Sequence, residues 1–584
     1  MTEIAGRKGE SNDPIYVEWK RQAFHSALRL MTKCLFKPAK EGILLPGPDG
    51  RMRSCFPILS IYIADYPEQV MLTLIKSGCC PKCKVHSKVI ANDLSVHPLH
   101  SQHRNNIHRQ TLLRKELWEK HELINILPFS TDWPLSDIHS AISPDILHQI
   151  FKGVFKHVMT WISDHMCLNL EMSPNDAEME LDRRFQQMLP WPGLKEFNKG
   201  ISAVQTWQGH EQKDMMRVYL GAINGLVDDE VMRAVRFLIQ FIMVAEYKSH
   251  SDATLASMEK SLKGFYERKH LLVPDKEDWK IPKLHAITHY VMEIKAKGAT
   301  DGYTSNHTER AHKVECKIPY SQTNKRDPEK QMVKHIDRRS KLMAKARYLE
   351  DLASQELTVA IEKVLEVGTR LALTPVTGST KRVAQNRLHK EFPLLNHQIR
   401  AYFHVFDHHG NHPSHVCPPF DGVITLYPSV RCTYNPIQHG SGKSGVLSNL
   451  VRSDSDKQCF VLVSIGERGS RPHGMDEKMV AQVLLLFTVK RHVNTVPLAL
   501  VNWFKLCGSK PDPRNGMYKV KRKILKGNPQ DSGIITIKDI LRGVHLIPVF
   551  PLPTPEREVG QVIDETGYFF INNYIDEHMY HTLN

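Results

Sequence analysis

The run PILSIYIAD at residues 57–65 decides how this chain is read. It is short, rich in Ile, Leu and Tyr, and bounded by Pro57 and Pro67, which predicts a buried strand ending in an acid, Asp65. A carboxylate in that place is held rigidly at a sheet edge, where a metal-dependent phosphoryl-transfer site needs a ligand. On spacing alone the plainer reading, an exposed turn Asp capping a strand end, is favoured. Upstream, residues 15–35 (IYVEWKRQAFHSALRLMTKCL) carry apolar side chains at helical spacing, and Pro46-Gly47-Pro48-Asp49-Gly50 breaks the pattern as turn chemistry does.

Downstream, residues 110–280 turn helical. Residues 144–166 (PDILHQIFKGVFKHVMTWISDHM) open with Pro at a first-turn position, and 228–247 carry a broad apolar face. Thr, Ser, Gly, Pro and basic residues gather around 374–386, where a boundary is expected. After residue 396 short β-like runs follow, FVLVSI at 460–465, AQVLLLFTVKR at 481–491, LALVNWF at 498–504 and IITI at 534–537, as in a small barrel or sandwich.

With 584 residues, 41% hydrophobic and 24% charged, the chain has the means to bury a core and lacks the signature of disorder. Its most apolar helical stretch, VRFLIQFIMVAE at 235–246, is too short to cross a bilayer. The opening MTEIAGRKGESNDP has no apolar signal region, so a reducing compartment is the default and the 11 cysteines are thiols or metal ligands. The formal net charge of +15 points to a polyanionic partner.

Several groups of residues suit chemistry. Cys80-Pro81-Lys82-Cys83 has the spacing for two ligands of a tetrahedral zinc, with His86, His97, His100 and His103 nearby to complete it; reduced thiols on a turn are the alternative. Asp145 and His148 share a helix face at i and i+3, just after Asp137 and His139, and could meet one ion. An acid on the helix dipole is the simpler account of Asp145. Glu309 suits a third carboxylate, although Asn306-x-x-Glu309 also fits a capping box. His285 and His289, at i and i+4 in KLHAITHY, resemble a zinc pair but lack the HExxH glutamate, and a metal there is not the favoured reading.

From Glu309 to Arg347 twelve Lys or Arg stand against five Asp or Glu, a stripe suited to phosphates or merely a solvated helix face. Lys519-Val520-Lys521-Arg522-Lys523 reads as a nuclear-import signal or a basic hairpin. Gly442-Lys443-Ser444 ends like a phosphate-binding loop, but Ile437 stands where its first glycine is required, and the motif is rejected.

The ordered set PDGRMRSCFPILSIYIADYPEQVML, GCCPKC, DIHSAISPDILHQIFKGVFKHVMTWI, WQGHEQKDMMR, KLHAITHY, HTERAHK and QMVKHIDRRSKL resembles the transposases of fungal Plavaka elements, of the CACTA-like group of cut-and-paste transposons. The resemblance implies an α+β chain. Its segments would be a partial RNase H-like core with the CxxC element at 1–110, a helical insertion at 111–280, a return to the core with a Glu-bearing basic helix at 281–370, a linker at 371–395 and a β-rich, barrel-like domain at 396–584. It further implies a DDE site with Asp65 as second Asp and Glu309 as Glu, using Mg²⁺ or Mn²⁺ for DNA cleavage and strand transfer. Cys80, Cys83, Asp145 and His148 would match the family's supporting elements and are the expected metal ligands, with Zn²⁺ the ion expected at the CxxC pair. Lys313, Lys325, Arg326, Arg338, Arg339 and Lys341 would hold DNA, which places the protein in the nucleus.

The departure from the pattern lies upstream, because family members carry a first strand and first Asp that the polar lead containing Asp13 does not supply. The expectation is therefore a weak or inactive nuclease. The alternative is a non-catalytic DNA- or chromatin-binding protein, domesticated or decayed, with chromatin contact through the C-terminal domain. A homo-oligomer is compatible with either, and a membrane partner with neither.

Overall fold

The computed structural model describes residues 13–47, 49–274, 276–357, 370–373, 379–382, 391–407, 423–434, 447–452, 459–466, 474–491, 494–522 and 532–584. Gly442-Lys443-Ser444, Lys523 and most of the expected linker at 371–395 lie outside them. The chain divides into two compact units, one of Met1–Val158, Ala245–Tyr266 and Val273–Lys363, the other of Met159–Val244, Glu267–Leu272 and Val364–Asn584.

The first unit opens with a helix, Pro14–Glu41, whose N-terminus is capped by the Asp13 side chain. The Pro-Gly-rich turn that follows makes a hairpin of β1 (Ile43–Pro46) and β2 (Met52–Cys55), paired antiparallel. Residues 57–65 differ from the expected buried strand. They are extended, but a single parallel bridge, Tyr62 to Ile142, is their only strand pairing among the described residues. Leu59 N–H is taken by Ser136 Oγ at 2.7 Å, and Ile58 and Ile61 remain 54% and 39% exposed. A ladder needs a partner backbone along its length, and here side-chain bonding replaces it.

Leu59 and Tyr62 pack against the core of Ala64, Leu72, Phe129, Ile138, Ala141 and Ile142. The expected helix at 144–166 begins as a π-helix, Ile146–Phe155, and continues as the α-helix Lys156–Asn169. Gly153 permits this packing: a Cβ there would lie 2.7 Å from His148 O and 2.8 Å from Lys283 Cδ.

The second unit combines helices such as Pro174–Gln186 and Gly209–Ala222 with antiparallel sheet. Its strands are β3 (Arg370–Leu373), β4 (Ser379–Arg382), β5 (Val423–Tyr427), β6 (Ser429–Tyr434), β7 (Leu447–Arg452), β8 (Cys459–Ser464), β9 (Lys478–Arg491), β10 (Asn494–Leu506), β11 (Lys519–Arg522), β12 (Ser532–Thr536), β13 (Ile540–Val544), β14 (Leu546–Pro548) and β15 (Phe569–Ile571). The β8, β9, β10 and β12 runs are the short β-like runs expected from the sequence. β3, β6 and β7 form one sheet, in the order β3-β6-β7, and the other ten form a second of order β13-β8-β9-β10-β11-β15-β14, with β12 also on β10 and β5 joining β4 to β9. The long hairpin β9–β10 bends at an irregularity between Leu500 and Val501. β9 serves β8 before the bend and β5 after it, while β10 serves β12 across the bend and then β11. A sheet that shares its strands in this way curls into a nearly closed, barrel-like form. The fold is thus mixed α and β with a barrel-like C-terminal part, as expected.

Among the described residues no helix is long and apolar enough to cross a membrane.

Candidate functional site

The first unit gathers Cys80, Cys83, His285 and His289, one donor atom from each lying within 4.8 Å of all the others. Cys80 Sγ is 3.3 Å from His289 Nε2, and Cys83 Sγ is 3.2 Å from His285 Nε2. All four side chains are buried. The CPKC turn aims Lys82 N–H and Cys83 N–H at Cys80 Sγ, both at 3.4 Å, which favours a thiolate there. The short helix Pro282–Ala286 passes through a 3₁₀ turn, Ile287–His289, into the helix Tyr290–Lys297, and this tightening turns both imidazoles inward.

A hydrogen bond from Cys80 holds the Cys83 thiol far below its usual range as a thiolate, with His285 adding to the effect. Burial pushes Cys80 well above its own. Two sulfurs sharing one proton between two imidazoles form a donor set that fits a divalent cation such as zinc, whose charge would let both become thiolates.

Behind the ligands lies a buried polar network. Lys82 Nζ sits 2.6 Å from Glu293 Oε1 and donates to the carbonyls of His139 and Ile142 at 2.6 and 3.0 Å. Glu293 also receives Lys297 Nζ and Ser143 Oγ at 2.7 and 2.8 Å. Burial opposes charge on Glu293, but the two ammonium groups outweigh it and hold its carboxyl below the usual range. His139 Nδ1 lies 2.8 Å from Pro81 O, inside the CPKC turn, and its Nε2 lies 3.0 Å from the Asn105 amide. With those partners Nδ1 donates and Nε2 accepts, and burial holds the ring neutral, its pKa well below the usual histidine value.

The acids form a separate group. Asp65 is the N-cap of the helix Tyr66–Thr73, accepting from Glu68 N–H at 3.0 Å. Asp145 is the N-cap of the π-helix and accepts from His148 N–H at 2.9 Å. Each acid stands three residues beyond the bridge between Tyr62 and Ile142, so the two occupy matching places on adjacent parallel segments. Asp145 caps a second helix as well, Ser305–Ala311: its Oδ1 accepts Ser305 N–H at 2.8 Å and its Oδ2 accepts Ser305 Oγ–H at 2.6 Å. Burial raises the Asp145 carboxyl, and these bonds with those from His148 more than reverse it.

His148 Nδ1 faces Asp145 Oδ2 at 2.7 Å, and its Nε2 faces Glu309 Oε1 at 3.2 Å. Lys152 Nζ lies 3.5 Å from the same Glu309 oxygen. The half-buried Lys283 ammonium is lowered by desolvation, a shift that the nearby Asp65 and Asp145 charges oppose. The Asn306 cap expected from the sequence is instead Thr304, which accepts from Asn306 N–H at 3.4 Å.

A family model described as Plavaka transposase matches residues 6–162. This stretch is similar to Plavaka transposases. The match contains Asp65, Cys80, Cys83, Asp145 and His148, whereas His285, His289 and Glu309 lie beyond it. No curated protein matches the chain.

The structure does not bring every expected residue together. Cys80 and Cys83 of the Plavaka stretch meet His285 and His289, not the neighbouring histidines: His100 stacks on His139 at 5.0 Å and lies 3.3 Å from the Asn105 amide. Asp145 and His148 stand apart from that cluster, in the acidic group. The complement of each half-site was the available signal, because a CxxC and an HxxxH each supply two of the four tetrahedral ligands.

Lys313, Lys325, Arg326, Arg338 and Lys341 are exposed, on or beside the long helix Pro328–Leu357. Arg339 is half-buried, donating to Val314 O at 2.9 Å and paired with Glu315. Lys519 to Arg522 form β11 in the sheet, and Lys519 lies over the Tyr568 ring at 4.4 Å.

Proposed function

We propose that this chain is a transposase-derived protein of the CACTA-like, fungal kind, acting on DNA in the nucleus through a metal-dependent site in an RNase H-like unit. The observation that carries the reading is the shared end of two parallel segments, each closing on an acid that caps a helix, inside a stretch that matches Plavaka transposases.

Asp65 and Glu309 are the acids we assign to Mg²⁺ or Mn²⁺. Their hard oxygen donors suit such ions, which would supply activation of water or a 3′-hydroxyl and neutralisation of the leaving oxygen. Asp145 is kept from that work, since hydrogen bonds from His148, Ser305 and Thr304 occupy both its oxygens. Two acids are fewer than a two-ion site uses, so the activity of this polypeptide alone is expected to be weak. Cys80, Cys83, His285 and His289 would hold zinc as a structural brace. The exposed basic residues beyond Glu309 would fix the phosphate backbone without reading sequence.

The test is cleavage of duplexes bearing the element's terminal repeats in Mn²⁺. Loss of nicking in both Asp65→Ala and Glu309→Ala supports the assignment, and nicking unchanged in both overturns it.

The +15 charge also favours a second reading, a non-catalytic DNA- or chromatin-binding protein, which predicts salt-sensitive DNA binding with no nicking in any metal.

A further inference from the structure

We infer that His148 is a positioning residue for Glu309: the buried Asp145 fixes the imidazole, and the imidazole fixes the acid. The inference rests on the reading of Glu309 as a metal-binding carboxylate.

Glu309 lies on a helix of seven residues and its side chain is 51% exposed. A glutamate so placed loses rotamer freedom only if something holds it, and ordering such a side chain costs on the order of 1–2 kcal/mol. Two groups reach it, His148 Nε2 at 3.2 Å and Lys152 Nζ at 3.5 Å. Lys152 is a flexible point charge, so orientation falls to the imidazole.

The ring is fixed from behind. Its Nδ1 lies 2.7 Å from Asp145 Oδ2 and 2.9 Å from Ser305 Oγ, and Asp145 is itself locked by the first turns of two helices. Those helices are the ones that carry His148 and Glu309, so the carboxylate that aims the ring also sets the spacing between ring and acid. Carboxylate–histidine pairs orient metal-site groups in this way, and their loss costs roughly 10- to 100-fold in metal affinity. A purely structural Asp145–His148 pair would have no need to direct its outer nitrogen at a half-exposed acid.

The experiment is titration of the zinc-loaded full chain with Mn²⁺, reading free ion by electron paramagnetic resonance, for the wild type, Glu309→Gln, His148→Ala and His148→Gln. Both Glu309→Gln and His148→Ala should weaken Mn²⁺ binding roughly 10- to 100-fold. His148→Gln, whose amide can still donate to Glu309, should recover part of it. His148→Ala takes one donor from the buried Asp145, so its unfolding midpoint is expected to fall, and His148→Gln serves as the control. Unchanged Mn²⁺ binding in Glu309→Gln overturns the site assignment and this inference with it. Weakening in Glu309→Gln without weakening in His148→Ala overturns the inference alone. His148→Gln therefore decides on the same readout: Mn²⁺ affinity no higher in His148→Gln than in His148→Ala sinks the inference.

Discussion

Lys82 Nζ and Glu293 Oε1 are 2.6 Å apart and nearly sealed from solvent, with Lys82 standing between the two cysteines of the CPKC turn and Glu293 one helical turn beyond His289. The turn and the helix are therefore stapled twice, by the sulfur–imidazole cluster and by a buried ion pair beside it. The second staple brings the four ligands together without relying on the ion. Removing one partner strands a charge in a site too dry to hydrate it, which costs about 3–5 kcal/mol, whereas an apolar pair of similar volume is often neutral. Glu293→Gln, which strands Lys82 and Lys297 together, should destabilise the chain strongly in urea unfolding and by more than Lys82→Met, which leaves Glu293 its Lys297 partner, and Lys82→Met combined with Glu293→Leu and Lys297→Met should restore much of the loss. Single variants as stable as the wild type would show the pair to be dispensable.

The cluster itself predicts a metal content. Protein purified without chelator should contain one zinc per chain by elemental analysis, and Cys83→Ser and His285→Ala should lose it equally, because a tetrahedral site missing either ligand type is broken. Cys80 is held as a thiol by burial, so metal uptake must expel a proton, and affinity should fall as pH is lowered. Zinc retained in His285→Ala would mean that the cysteines find their other ligands elsewhere.

Adjacent arginines on the long helix should behave differently. Arg338 is exposed, while Arg339 donates to Val314 O and pairs with Glu315, tying that helix to the segment after Glu309. Arg338→Ala should lower DNA affinity and reduce the slope of log affinity against log salt by about 0.9 if it meets one phosphate, with stability unchanged. Arg339→Ala should reduce thermal stability by roughly 1–2 kcal/mol through loss of a charge-assisted bond. Identical effects of the two changes would contradict the division.

These expectations show where the sequence was informative. The β8, β9, β10 and β12 runs were legible because short runs of β-branched and apolar residues bounded by turn residues act locally. Cys80 and Cys83 were legible as half of a metal site, and so were His285 and His289, yet their union spans 202 and 209 residues and depends on tertiary packing that neither motif encodes. Residues 57–65 misled for a related reason. Their composition suits a strand, but strand formation depends on neighbours, and Leu59 finds a serine hydroxyl instead of a ladder partner. The Asn306 cap failed because a carboxylate 160 residues away, Asp145, takes the first helical N–H and Thr304 sits ahead of it. Local chemistry placed the elements, while the pairing of acids, imidazoles and thiols came from contacts between distant ones.

His25 predicts an acid sensitivity of the first unit with a definite sign. Phe129 N–H donates to its Nδ1 and its Nε2 faces Met71 O, both at 3.0 Å, so the neutral tautomer uses both nitrogens and a second proton would face an N–H. Burial pushes its pKa down to about 4, with Arg109 and Arg29 adding to the effect against the Met71 carbonyl. The unfolded chain takes up the proton near its ordinary value of about 6.5. Between those two values the unfolded state binds more protons than the native one, so stability is full above about pH 6.5 and is lost as pH falls toward 4, by up to about 1.4 kcal/mol per pH unit for this group. His25→Phe keeps the ring volume but removes the titration. It should be less stable than the wild type at pH 7 for want of its two hydrogen bonds, and the gap should narrow at pH 5 in urea unfolding. An unchanged gap between pH 7 and pH 5 would show that His25 does not carry the proton linkage.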